Sequence, residues 1–297
     1  AGARGTQPYF VRDNERYMPE AKNNTNLKEY AYRSTNQRDK NNVNIVNTKD
    51  NVKTLSATNN IKDKVDFADY LIHNDFTIDD YSISKIDSTL KTLDIIKYDK
   101  AITNELNKFG VTFTDKKIYI GQDTSYINYQ FKAGQEIGSI RRNFINEDGK
   151  LVVYNELLTI PKSLQQKGIA KRLFKELDSI YKDAGVDIMR VHANINLGGR
   201  TWAKFGFWTT KQNAISIVTE KKLTGEISIE EHTLLKKQIE TESKGNNFNM
   251  SLLKDYIIGK NKDGSNKYLL DGSDWYGWIE LKDKNSTLYY YDYLFNR

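Results

Sequence analysis

Apolar positions change their spacing three times along the chain, and each change predicts a different kind of element. Between Ile61 and Phe109 they recur with helical period. Val65, Phe67, Ala68, Leu71 and Ile72 form one set, Ile86, Leu90, Leu93 and Ile96 a second, and Ile102, Leu106 and Phe109 a third. This spacing predicts two or three helices packed on a later sheet, with Gly110 as the stop. From Val111 to Pro161 the pattern becomes β-branched and aromatic (KKIYIGQ, YINYQF, GQEIGSIRRNFINEDGKLVVYNELLTIP), which predicts a meander of antiparallel strands with a hairpin turn at Glu147-Asp148-Gly149. Pro161 closes the last strand and Ser163 is the expected helix N-cap. Ile169, Leu173, Leu177 and Ile180, flanked by Ala170, Phe174 and Tyr181, then predict an amphipathic helix ending at Gly185. A short buried strand follows over Val186–Ala193. Gly198 and Gly199 precede a short helix that ends at Gly206.

Past Phe207 the same reading gives a strand at Ala214–Val218, a charged helix from Ser228 to Ser243 and a polar loop, GNNFNM. It then gives a helix at LLKDYII, a loop at GKNKDGSNK, an aromatic strand at Tyr276–Leu281, and a helix or strand ending at Phe295. Trp275, Trp278, Tyr289, Tyr290 and Tyr293 read as core. Residues 1–60 show no period, only scattered anchors such as Tyr9, Phe10, Val11 and Tyr17, and read as an extended or disordered arm. The expected organisation is therefore an arm over 1–60, a helical segment over 61–110, a core over 111–210, and a C-terminal extension over 211–297 that completes the same domain. The fold class is α+β, in mixed layers.

Composition narrows the chemistry. A chain of 297 residues can bury a full core, and 12% aromatic residues support one despite a mean hydropathy of −0.70. Cysteine is absent, which excludes disulfides, thiolate metal sites and a cysteine nucleophile. Three scattered histidines, His73, His192 and His232, argue against a histidine metal site. No apolar run reaches the roughly 20 residues of a membrane helix, and no secretory signal is visible, so a soluble protein is expected. The net charge of +6 is concentrated at the start, where residues 1–64 hold 12 Lys/Arg against 7 Asp/Glu. Such an arm can meet nucleic acid or an acidic protein surface, or simply stay hydrated.

The segment Gln165-Gln166-Lys167-Gly168-Ile169-Ala170 has the form Gln-x-x-Gly-x-Ala at the mouth of a helix. Free N–H groups there, with the helix dipole, suit a pyrophosphate, and Gly168 lets it approach the main chain. No Gly-x-Ser-x-Gly or His-x-x-x-His arrangement supports a hydrolase. With Tyr154–Ile160 as the strand before it, Val186–Ala193 as the strand after it, and the Gly206-Phe207 dipeptide closing the next short helix, the segment resembles the acyl-CoA loop of the GNAT superfamily of N-acetyltransferases. The resemblance covers about Ile102 to Trp208.

That resemblance implies a mostly antiparallel sheet flanked by helices, acetyl-CoA as cofactor and N-acetyl transfer as activity. It places the pyrophosphate on Gln165, Gln166, Lys167, Gly168, Ile169 and Ala170, and the pantetheine arm on Asn194 or Asn196. Glu156 becomes the general base; its alternative is a strand carboxylate facing solvent or paired with Arg141 or Arg142. The family's tyrosine acid falls at Trp202, whose indole cannot serve, leaving Tyr181, Tyr154 or His192 as substitutes. His192 reads either as catalytic or as a hydrogen-bonded structural residue. A second similarity, in HANINLGGRTWAKFGF and in GSDWYGWIEL with STLYYYDYL, is to acetyltransferase-like modules of bacteriophage head-associated and mobile-element proteins. It implies a virion or host-cytoplasm location and an arm that binds virion proteins, such as capsid or portal, or nucleic acid. It also brings the alternative of a catalytically inactive virion or cargo protein.

Overall fold

The computed structural model describes residues 70–71, 73–78, 90, 92–121, 123–193 and 198–296. The arm over 1–60, most of the helical pattern over 61–89, and both Asn194 and Asn196 lie outside the described residues.

Four long strands form the expected meander: β2 (Thr112–Tyr119), β3 (Thr124–Ala133), β4 (Glu136–Glu147) and β5 (Lys150–Thr159), each antiparallel to the next. Their alternation decides which face is buried. Ile118, Ile127, Tyr129, Phe131, Ile140, Phe144 and Val153 enter the main core. The β4–β5 turn is the expected one, with Asp148 at φ 51° and Gly149 at φ 77°, the left-handed pair a tight hairpin needs. Ahead of the meander, β1 (Phe76–Ile78) pairs parallel with β2, inside a stretch whose spacing predicted helix. The helix itself, α1 (Ile95–Asn107), starts later than its apolar pattern suggests. Asp94 caps it by accepting from the Lys97 N–H, and Leu90 and Leu93 are buried before it begins.

After β5 the chain forms α2 (Ile169–Asp183) and returns as β6 (Ile188–Ala193), parallel to β5. A short α3 (Gly198–Lys204), β7 (Trp208–Thr210), α4 (Lys211–Leu223), α5 (Ile229–Glu242) and β8 (Asn247–Asn249) follow. Next come the hairpin β9 (Ile257–Lys260) and β10 (Asn266–Tyr268), then β11 (Trp275–Glu280) and α6 (Lys284–Phe295). Among the described residues, nine strands make one sheet in the order β1-β2-β3-β4-β5-β6-β11-β7-β8, parallel only at β1–β2 and β5–β6. The chain is thus α+β, a mostly antiparallel sheet flanked by helices. Its last strand returns to lie between β6 and β7.

Several local expectations change. Ala214–Val218 is not a strand: Ala214, Ile217 and Val218 form the buried face of α4, which Thr210 caps. LLKDYII is not a helix but a 3-10 turn at Met250–Leu252 leading to β9, and the polar GNNFNM contains β8. Ser163 caps nothing. It lies in a 3-10 turn (Lys162–Leu164), its N–H donates to Glu136, and the N-cap of α2 is Gly168.

Helices α1, α2 and α6 cover one face of the sheet, where Tyr98, Ile102, Leu173, Phe174, Leu177, Tyr181, Tyr290 and Leu294 are buried together. Burying an aliphatic or aromatic side chain of this size stabilises by about 1.5–3 kcal/mol. Trp275 belongs to this core and Tyr293 packs half-buried against it, while Tyr289 is half-buried and Trp278, half-buried too, alternates to the other face of β11. The other face carries a smaller cluster of Ile145, Val152 and Tyr154, with Ile188 against it. No described helix is long and apolar enough to cross a membrane.

Candidate functional site

The distinctive local event is the parting of β5 from β6. The parallel ladder runs from Val152↔Ile188 to Asn155↔Val191, and among the described residues it ends there, although β5 continues to Thr159 and β6 to Ala193. The cause lies on the other side of β5. Arg141 pairs with Leu157 and Asn143 with Tyr154, so Asn155 and Glu156 together stand opposite the single Arg142. Such a bulge bends its strand and raises the local twist, which carries the end of β5 away from β6.

Two buried polar side chains hold this bend. Arg142, 1% exposed, donates through Nη1 to the carbonyls of Leu157 at 2.8 Å and Arg141 at 2.9 Å, and its guanidinium stands 5.6 Å from the Phe174 ring centre. Asn155, also 1% exposed, donates from Nδ2 to the Arg190 carbonyl at 3.1 Å across the last step of the ladder. Its Oδ1 has no hydrogen-bond partner among the described residues. A buried orphan acceptor of this kind costs about 1–3 kcal/mol unless something supplies a donor.

The bulge also sets the position of Glu156. Its Oε2 lies 2.8 Å from Nε of Arg141, off-line for a hydrogen bond, so the two form an ion contact. The Arg141 guanidinium lies 4.2 Å over Tyr126, which in turn stacks on Tyr119 at 5.5 Å. Of the two arginines weighed from sequence, Arg141 is the partner. Across the gap, one residue past the last pair on β6, His192 stacks on Tyr276 of β11 with ring centres 4.3 Å apart and planes 6° from parallel. Its Nε2 is 2.5 Å from Oδ1 of Asp274. Burial above all, then the neighbouring Tyr276 and Glu156, push the Tyr154 hydroxyl well above its ordinary range; Arg190 offsets part of this. Burial and then the charge of Asp274 push the Tyr276 hydroxyl up as well.

Immediately beyond β5 lies the Gln165–Ala170 segment, and its residues divide the work. Gln165 turns its side chain back, Nε2 donating to the Ile160 carbonyl at 2.9 Å, so it shapes the loop. Gln166, at φ 61°, and Gly168, at φ 72°, both take left-handed backbone, and together with Lys167 they are exposed. A side chain at Gly168 would be strained, and its Cβ would come within 3.2 Å of Nη1 of Arg172. Ile169 is buried, so it offers the site only main chain, and Ala170 is half-buried. Asp94, Thr210, Ser228 and Asp283 cap α1, α4, α5 and α6 with side-chain oxygens, whereas α2 has no side-chain cap. The dipole of α2 and the N–H groups of Ile169 and Ala170 thus stand at the end of β5 with no side-chain cap from Gly168. Arg172 stands beside this loop, tied to the buried Glu105, which also takes Lys108 at 2.6 Å.

The structure thus brings Glu156, His192 and Gln165–Ala170 to the same ends of β5, β6 and α2. Trp202 is core: 6% exposed, edge-on to Phe174 and to Phe207, both at 5.6 Å. Tyr181 is fully buried on the helix-covered side against Tyr98 and Phe144, and burial pushes its phenol up. Of the acids weighed from sequence, Tyr154 and His192 remain near Glu156. Asp274, Tyr276 and Arg172 escaped the sequence reading. The first two follow the Gly-Ser turn ahead of β11, far along the chain from His192, and Arg172 reads as one more helix cation. Among the described residues no cluster of three His, Asp or Glu could hold a metal. No protein-family model matches the chain, and the searches of curated proteins and of solved structures returned no significant match.

Proposed function

We propose that the chain is an acyl-CoA-dependent N-acetyltransferase of the GNAT kind. The observation that carries this reading is the conjunction of a parted parallel strand pair with an uncapped, glycine-entered helix directly after it. Free N–H groups at the mouth of α2 suit a pyrophosphate, with Lys167 adding a mobile positive charge. The edge of Glu156–Thr159 that β6 has left offers backbone donors and acceptors to an amide-bearing arm, as a strand edge does to a peptide. The orphan Oδ1 of Asn155 adds a buried acceptor at the same place. Bound acetyl-CoA would supply the activated thioester. Glu156 and His192 stand where a proton released by an amine can be held, whereas burial makes the Tyr154 phenol too weak an acid to return one to sulfur, so the thiolate would take its proton from solvent.

Calorimetry with acetyl-CoA tests the reading on wild type, Lys167→Glu and Gly168→Glu, with thermal melting to confirm folding. Saturable binding is expected, weakened about tenfold or more by the added carboxylates. Absence of heat at millimolar ligand would refute it.

Trp202 favours a second reading, the same fold without turnover, as in a particle-associated protein that binds capsid, portal or nucleic acid through residues 1–60. Indole cannot protonate a leaving thiolate, and here it is packed among aromatic rings. Thiol release from acetyl-CoA in the presence of primary amines separates the two, since the second reading expects binding and no release.

A further inference from the structure

We infer that Asp274 is a positioning residue that aims His192 as the acceptor of the amine proton, an inference resting on the acyl-transfer reading above. A carboxylate can only accept, so on a neutral imidazole the 2.5 Å contact places the hydrogen on Nε2 and leaves the lone pair on Nδ1 to take a proton. The Tyr276 ring, 4.3 Å away and within 6° of parallel, fixes the imidazole plane. One contact therefore sets the tautomer and the other sets the direction, the two properties a histidine base needs.

Position supports the assignment. His192 and Glu156 are the first residues past the last paired step on β6 and β5, so the ring borders the mouth where the strands part. Glu156 is the weaker candidate, because the Arg141 guanidinium at 2.8 Å already neutralises it. Asp274 and Tyr276 contact His192 directly, and both act electrostatically on Tyr154, whose other charged neighbours are Glu156 and Arg190. A purely structural tie is not required here. β11 already pairs with β6 from Trp275↔Ala193 to Glu280↔Ile188, and Asp274 is 48% exposed at the rim.

In the step assigned, the nitrogen of a primary amine attacks the thioester carbonyl, the N–C bond forms and the C–S bond breaks. The amine proton passes to Nδ1 of His192, and the thiolate takes a proton from solvent.

Nitrogen-15 NMR of the full chain tests this, with His73 and His232 as internal controls. Wild type is expected to show a downfield Nε2–H proton on His192 that is protected from exchange and is lost in Asp274→Ala. Saturating acetyl-CoA, verified by calorimetry, is expected to move the His192 Nδ1 signal and leave the other two histidines in place. Binding heat without a shift at His192, or an unprotected Nε2–H in wild type, overturns the inference and leaves the acyl-CoA reading standing. Absence of binding heat overturns both. The wild-type signals decide even if Asp274→Ala does not fold.

Discussion

The β5–β6 pair has two ends built on opposite principles. At the closed end Asp187 bolts the strands together. Its N–H donates to the Leu151 carbonyl and its Oδ2 accepts the Leu151 N–H, both at 2.8 Å, while Oδ1 meets Lys282 at 2.5 Å. At the open end the carboxylate of Glu156, among the described residues, bonds no backbone and makes only the ion contact with Arg141. Between them the ladder runs four residue pairs and stops. The opening is thus a specified feature of the bulge rather than the fraying of a weak pair. One end is rigid so that the other can part at a fixed place.

The largest expected break of this contrast is Arg142→Ala. It leaves the Leu157 and Arg141 carbonyls without their donor and a cavity beneath Phe174. Unfolding in urea at pH 7 should show a loss of about 3 kcal/mol or more. A loss under about 1 kcal/mol would mean that the guanidinium does not hold the bulge.

Second is Asp187→Asn at the closed end, expected to cost about 1–2 kcal/mol. Burial tends to raise this carboxyl, but the Lys282 ammonium and the Leu151 N–H outweigh it and hold it below the ordinary carboxylate range. A depressed native value means the stabilisation is present above the unfolded value, about 4, and is lost as pH falls through the native one. Stability of the wild type below about pH 4 should therefore fall more steeply than that of Asp187→Asn. Parallel acid slopes would remove the bolt from the account.

How much of this was written in the sequence differs between the two ends. The helix α2 was legible because Ile169, Leu173, Leu177 and Ile180 repeat at helical period and Gly185 closes it. The β4–β5 hairpin was legible because Asp148-Gly149 admits few other conformations. The bulge was not. Tyr154-Asn155-Glu156-Leu157 alternates no differently from its surroundings, and only the pairing with β4 shows that two residues oppose one. Ala214–Val218 misled for a related reason, since a short apolar, β-rich run fits a strand or one buried helix face until its neighbours choose. Of the site, the loop was visible as Gln-x-x-Gly-x-Ala, yet the inward turn of the Gln165 side chain depends on the Ile160 carbonyl, which no spacing reveals. Asp274 and Tyr276 reach His192 only because β11 returns to the sheet beside β6.

The third prediction concerns how the open end is entered. Gly168→Ala forces a side chain into left-handed backbone and should cost about 1–2 kcal/mol in urea, with acetyl-CoA affinity falling alongside. Ser228→Ala at the capping box of α5 should cost a similar amount, about 1 kcal/mol, with no effect on ligand affinity. Equal effects on affinity would show that the uncapped mouth of α2 is not special.

The smallest expected effect is that of Glu156→Gln. Both partners of its ion pair are 27% exposed, the geometry is off-line, and contacts of this kind contribute about 0–1 kcal/mol. Stability should move by less than about 0.5 kcal/mol, because the bulge is held by Arg142 and Asn155 and not by Glu156. Acetyl-CoA affinity should stay within about threefold, since the glutamine keeps the size of the side chain and the backbone of Glu156–Thr159 is unchanged. A larger loss of affinity with intact stability would mean that the Arg141–Glu156 contact itself sets the width of the opening. The two ends would then both be governed by a carboxylate, and the contrast between bolt and bulge would have to be redrawn.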